Sequence, residues 1–260
     1  MAGVTPASNE RVRVSVGNDG VADVRLLRAD KHNGLDWPMF EAINRAIDEL
    51  REAGEEVRAV VLAGEGPSFC AGLDFKSFAS GDTDLAADGF ARADGEIANF
   101  AQRVAYGWRE LPVPVVAALQ GACFGGGLQI ALAADIRIAA PDTRMSVMEI
   151  EYGLIPDMSL STSLPRLVRD DVARELTYTG RIVEAEEALA LGLVTRLEDD
   201  SLAAARELAT VIASKPPRAI RSAKRLLGLP AGGDDAERLA LEAELQQGLI
   251  ADTLSASREG

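Results

Sequence analysis

Histidine is almost absent from this sequence: His32 is the only one in 260 residues. That excludes a His-rich metal centre and leaves no obvious base for a Ser-His-Asp triad. Cysteine is nearly as scarce. Cys70 and Cys123 are too few for a disulfide framework and lack metal-ligand spacing, so no metal is expected. Positive charge is also short, with 27 Lys+Arg against 41 Asp+Glu and a net charge of −14. Such a surface repels phosphate backbones and excludes nucleic acid as a natural partner. No run of about 18 apolar residues exists to span a bilayer, so no membrane partner is expected. The first ten residues are polar and hold no apolar signal segment, and a cytoplasmic location is the expectation.

What remains is an ordinary globular balance, 47% apolar and 26% charged, long enough for one large core with a smaller appendage. Residues 11–16 alternate, meet the Asn18-Asp-Gly20 turn signal, and resume over 21–27, which predicts a hairpin. Phe40, Ile43, Ala46, Ile47 and Leu50 have the spacing of an amphipathic helix over 37–52. Residues 57–62 and 114–119 read as buried strands, and 97–111 as a helix between them. The Ala-, Asp-, Gly- and Ser-rich stretch 76–94 reads as a lid or irregular loop. Strands and helices then alternate, with a strand expected at 145–148, until the strand signal stops near Asp200. The expected division is an α/β core over 1–199 and a helical segment over 200–260 that closes the pocket and joins subunits.

Two glycine-punctuated loops stand out. Ser68-Phe-Cys-Ala-Gly-Leu-Asp74 follows the strand at 57–62; Gly121-Ala-Cys-Phe-Gly-Gly-Gly127 follows the strand at 114–119 and opens an Ala/Leu-rich helix. Glycines there bring bare backbone to the first turn of a helix, where N–H groups lack partners and the dipole is positive. If the two strands are neighbours, N–H groups from both loops can converge on one carbonyl oxygen.

The combination F-x-A-G-x-D at 69–74, G-x-x-x-G-G-G-x-x-x-A-x-x-x-D at 121–135, and Glu149 fourteen residues on resembles the crotonase family of enoyl-CoA hydratases and isomerases. The resemblance runs from about Val14 to Leu227. It implies an α/β fold, a spiral of β-β-α units with a C-terminal helical segment, assembled as a trimer or a hexamer of two trimers. It also implies an acyl-CoA thioester as substrate, with no cofactor beyond the coenzyme A moiety. The N–H groups of Ala71 and Gly126 become the expected oxyanion hole, with Gly72, Leu73, Asp74 and Gln129 in the substrate site.

The family's hydratases use two glutamates; here the second is Glu149 and the first position holds Gln129. An amide does not titrate near neutral pH, so Gln129 can orient a water or substrate but cannot exchange protons with it. The chain offers another carboxylate in Glu149-Ile-Glu-Tyr-Gly-Leu-Ile-Pro-Asp157. A Glu followed eight residues later by Asp resembles the dienoyl-CoA isomerases, which usually carry a third acidic residue where Gln129 stands. The expected activity is therefore a double-bond shift in an enoyl- or dienoyl-CoA, with Glu149 and Asp157 as acid-base pair. Alternatives are a hydratase using Glu149 and a water on Gln129, and a non-catalytic CoA-binding paralogue. Asp157 also suits a cap for a helix over 160–168, Cys70 or Cys123 a nucleophile, and His32 a contact to coenzyme A or plain surface.

Overall fold

The structure, a computed structural model, describes residues 10–80, 89–229 and 234–259. Strands β1 (Val12–Val16) and β2 (Val21–Leu26) form the expected antiparallel hairpin, closed through Gly20 at φ 78. Helix α1 (Trp37–Glu52) begins where Asp36 accepts the Met39 N–H and buries Phe40, Ile43, Ile47 and Leu50. Strands β3 (Ala59–Gly64) and β4 (Val115–Leu119) are buried throughout and pair in parallel, Val60 opposite Val115. Thus the strands that carry the two glycine loops are neighbours.

Beyond β4 the chain climbs between two sheets. Strand β5 (Ala122–Phe124) belongs to a small second sheet, β6 (Ile136–Ala139) returns to the main one, and β7 (Arg144–Ser146) and β8 (Val183–Glu184) lie in the second. Strand β9 (Arg196–Leu197) ends the main sheet, whose order is β1-β2-β3-β4-β6-β9. This alternation, with helices between, is the β-β-α spiral. The strand expected over 145–148 stops at Ser146, because Met148–Tyr152 winds into one tight helical turn.

Alternation along the strands separates two cores. Val60, Leu62 and Ala117 join Phe40, Trp108 and Ile130 beneath α1, α3 (Phe100–Glu110) and α4 (Gly126–Ala133). The intervening residues Ala59, Val61, Ala63, Val116 and Ala118 face the other way, against Ala205, Ala209 and Ala213 of a helix over Ser201–Ala213. Small side chains on both sides let that helix lie close on the sheet. Ser201–Ala213, which belongs to the expected C-terminal segment, thus packs on the sheet of the core. The stretch 76–94 is likewise less irregular than expected at its start: Phe75–Ser80 is helix α2. Part of the expected lid, 81–88, lies outside the described residues.

Candidate active site

The loop after β3 is held as a short strand bonded alternately to two neighbours. Cys70 donates to the Ala122 carbonyl (3.1 Å) and accepts from the Phe124 N–H (3.0 Å), which ties the two glycine loops together. The Ala71 N–H turns the other way and donates to the His32 carbonyl at 2.9 Å. That donor is occupied, so the expected oxyanion role of Ala71 is not available. Two residues on, Leu35 donates to Gly72 O (2.8 Å) and accepts from the Asp74 N–H (2.9 Å). In this parallel bridge the Leu73 N–H faces away from Leu35, and it meets no partner among the described residues. Sequence reasoning missed this donor, because three adjacent N–H groups look alike until the pairing of the loop is known.

Facing it is the turn into α4. Gly125 takes φ 52, ψ −123, which a side chain would strain, and it leads to Gly126, whose N–H begins the helix with no partner among the described residues. Gly127 is dictated by contact: a Cβ there would lie 2.3 Å from the Cys70 carbonyl oxygen. Leu73, Gly72, Gly125 and Gly126 line one cavity of about 470 Å³.

Both expected carboxylates line the same cavity. Glu149 sits in the Met148–Tyr152 turn after β7, which Gly153 closes at φ 70 with its N–H on Ile150 O. The chain then reverses through residues 154–156 and returns Asp157 to the cavity. Helix α5 (Leu160–Ser163) starts at Ser159 without a side-chain cap, so Asp157 is not the cap that the sequence also allowed. Burial raises the Glu149 pKa above the usual carboxylate range, the nearby Asp157 charge adds to this, and backbone and Gln129 hydrogen bonds oppose it. Burial raises Asp157 as well.

Gln129 is not in the lining. It is 1% exposed, donates from Nε2 to Glu149 Oε1 (2.6 Å), and accepts at Oε1 from the N–H groups of Met158 (2.8 Å) and Leu160 (3.1 Å). Its expected place in the substrate site becomes a place behind it. Asp74 is engaged too. Burial works to raise its pKa, but the Arg28 guanidinium at 2.8 Å and the Ser77 N–H hold the carboxyl below its usual range. Both thiols are fully buried, which pushes Cys70 up to about 12 and Cys123 well above its ordinary value, so neither is a nucleophile.

A second cleft shares Ala71, Gly72 and Leu73 with the first and is lined by Arg28, Lys31, His32 and Lys76 together with Asp30 and Asp74, the latter paired with Arg28. His32 is exposed there, its Nδ1 3.0 Å from Ser68 Oγ. Of the basic residues of this cleft only His32 was anticipated from the sequence; its lysines were missed. Its signal was present in the two lysines flanking the first glycine loop in space, at 31 and 76.

The sequence matches the family described as enoyl-CoA hydratase/isomerase over residues 17–259. The chain belongs to that family. It is 34% identical over 225 residues to human mitochondrial Delta(3,5)-Delta(2,4)-dienoyl-CoA isomerase, covering 84% of this chain and 68% of that one. It is 30% identical over 232 residues to mouse mitochondrial methylglutaconyl-CoA hydratase, covering 86% and 71%. Among solved structures, an enoyl-CoA hydratase from Bacillus anthracis superposes with a TM-score of 0.84 at 30% identity, covering 96% of each chain. Among the described residues no helix is long and apolar enough to cross a membrane. Family members of both reaction types are thus similar to this chain, and the choice between them falls to the site.

Proposed function

We propose that this family member shifts double bonds along an apolar enoyl- or dienoyl-CoA. The observation that carries the reading is the placing of two carboxylates, Glu149 and Asp157, in one cavity with two unpaired backbone N–H groups. The Leu73 and Gly126 N–H groups receive the thioester oxygen, and two such donors aimed at an enolate contribute about 3 kcal/mol each. Glu149, beside the glycine turn, removes the proton next to the carbonyl. Electrons move along the conjugated chain, and Asp157 delivers a proton at the far carbon. Each turnover leaves Glu149 protonated and Asp157 ionised, and exchange with solvent restores the pair. Raised pKa values suit this work, because one carboxylate must be ionised and the other protonated.

The hydratase alternative needs Gln129 to hold the attacking water. Its carbonyl already accepts two backbone N–H groups and its amide donates to Glu149, which speaks for the isomerase. Unpaired donors beside buried acids speak against a non-catalytic paralogue. Among the described residues no Lys or Arg lines the acyl cavity, and its walls include Phe40, Phe75, Phe90, Tyr152 and Met158, which favours an uncharged chain over one ending in a carboxylate. Coenzyme A phosphates find Lys31, His32 and Lys76 in the adjoining cleft, where Arg28 is taken up by Asp36 and Asp74. The assembly we favour is a trimer or a hexamer of two trimers. Following 2-enoyl-, 3-enoyl- and 3,5-dienoyl-CoA in the ultraviolet tests the reading. Conversion of the dienoyl ester is expected; hydration of 2-enoyl-CoA with the dienoyl ester untouched would overturn it.

A further inference from the structure

We infer that Gln129 is the positioning residue of the site, one amide that aims Glu149 and clamps the turn carrying Asp157. The inference rests on the isomerase reading only for the reaction served. Two backbone N–H groups, from Met158 and Leu160, can be met only by the amide's carbonyl, which fixes its orientation and leaves N–H for Glu149. Glu149 Oε1 is thereby held as an acceptor at 2.6 Å, and Oε2 is left as the oxygen without a partner among the described residues. The base thus has one anchored oxygen and one free oxygen.

The other end of the amide does a different job. Ser159 lies between the two bonded N–H groups at φ 75, a left-handed conformation unfavourable for a side chain, and its Oγ is buried without a partner. Serine is a residue that ordinarily caps a helix, yet here it makes no cap. The Gln129 carbonyl instead takes the N–H groups on either side of the strained residue. Asp157 and Met158 immediately precede Ser159, and Met158 Sδ lies 2.9 Å from where a Gly126 Cβ would sit. One side chain from α4 therefore sets the position of both carboxylates against the glycine turn.

The charged surroundings of Glu149 are simple. Asp157 acts on it across the cavity, and Glu151 of the same turn lies against Gly180, which follows helix α6 (Asp170–Thr179). Burial and Asp157 both favour the protonated form of Glu149, while the Gln129 hydrogen bond favours the ionised one. Removing the amide therefore leaves the base protonated to higher pH.

The test is a carbon-13 NMR titration of the glutamate carboxyls of the ligand-free protein, with Glu149→Gln identifying the resonance. It is run beside the pH profile of kcat/KM on a dienoyl-CoA. In Gln129→Met the Glu149 midpoint is expected to rise. The acid limb of kcat/KM moves up with it, lowering kcat/KM about tenfold on that limb at little change in KM. A merely structural Gln129 would lower the plateau and leave both midpoints where they are. If Gln129→Met does not fold, Gln129→Asn keeps the amide on a shorter arm and is expected to move both midpoints the same way, by less. An unmoved midpoint in a folded variant, or failure of both variants to fold, overturns the role. The titration needs no turnover. A shifted midpoint in a protein that ignores dienoyl-CoA would keep the positioning role and remove the reaction, and the reverse pattern would do the opposite.

Discussion

At the scale of single residues, chemistry was legible in proportion to how much of it depends on side-chain type. Glu149 and Asp157 could be picked out because a carboxylate is a carboxylate wherever it lies, and both line the cavity. Ala71 could not be told from Leu73, since a backbone donor is selected by which way the loop is paired. Asp157→Asn keeps shape and removes the titrating group. It is expected to slow dienoyl-CoA isomerisation at least about a hundredfold at unchanged ester affinity. Unchanged turnover would leave Glu149 as a lone base. A second expectation concerns stability. The folded-state pKa values of Glu149 and Asp157 lie above their ordinary ones, so the fold takes up protons as pH falls. Their burial therefore weakens the fold as pH rises through that window. Glu149→Gln should melt higher than the parent at pH 8, with the advantage vanishing below about pH 4, where carboxyls are protonated in both states. A melting series across pH that shows no convergence at the acid end would refute it.

At the scale of elements, the hairpin, α1, the two buried strands and the Ala-rich α4 were readable from alternation and periodicity alone. The helix over Ser201–Ala213 was readable as a helix but not as part of the core. Its contact face is Ala205, Ala209 and Ala213, and small residues do not reveal what they will meet. Phe75–Ser80 was lost in the composition of the stretch that follows it. Helix α4 carries its own test. Proline is tolerated at the first position of a helix, where the N–H would be unpaired anyway, so Gly126→Pro removes the donor while allowing the helix. A Cβ at that position would approach Leu35 Cδ1 at 2.7 Å and Met158 Sδ at 2.9 Å, so bulk matters too. Gly126→Ala brings the bulk and keeps the donor. The proline variant is expected to turn over at least about a hundredfold more slowly than the alanine variant. Equal rates in the two would place the thioester oxygen elsewhere.

At the scale of the whole molecule, the C-terminal helices leave an unfinished surface. The helix over Pro217–Leu227 is tied to the core by Arg221 on Val57 O and Lys224 on Val113 O, and the helix over Asp235–Glu259 packs on it. Leu241, Leu245 and Leu249 are half-buried, while Leu239 is 62% exposed and Leu254 55% exposed. The spacing of Leu239, Leu241, Leu245 and Leu249 suits a contact face, but one chain's sequence does not say what would cover it. Light scattering at micromolar concentration should give three or six subunits, and a monomer would count against the assembly. In the trimer or hexamer we propose, another copy covers this helix, and its hold then obeys mass action. Its share of the folding free energy depends on how much protein is in the tube, so melting temperature should climb with concentration, and dilution alone should loosen the arm before the sheet gives way.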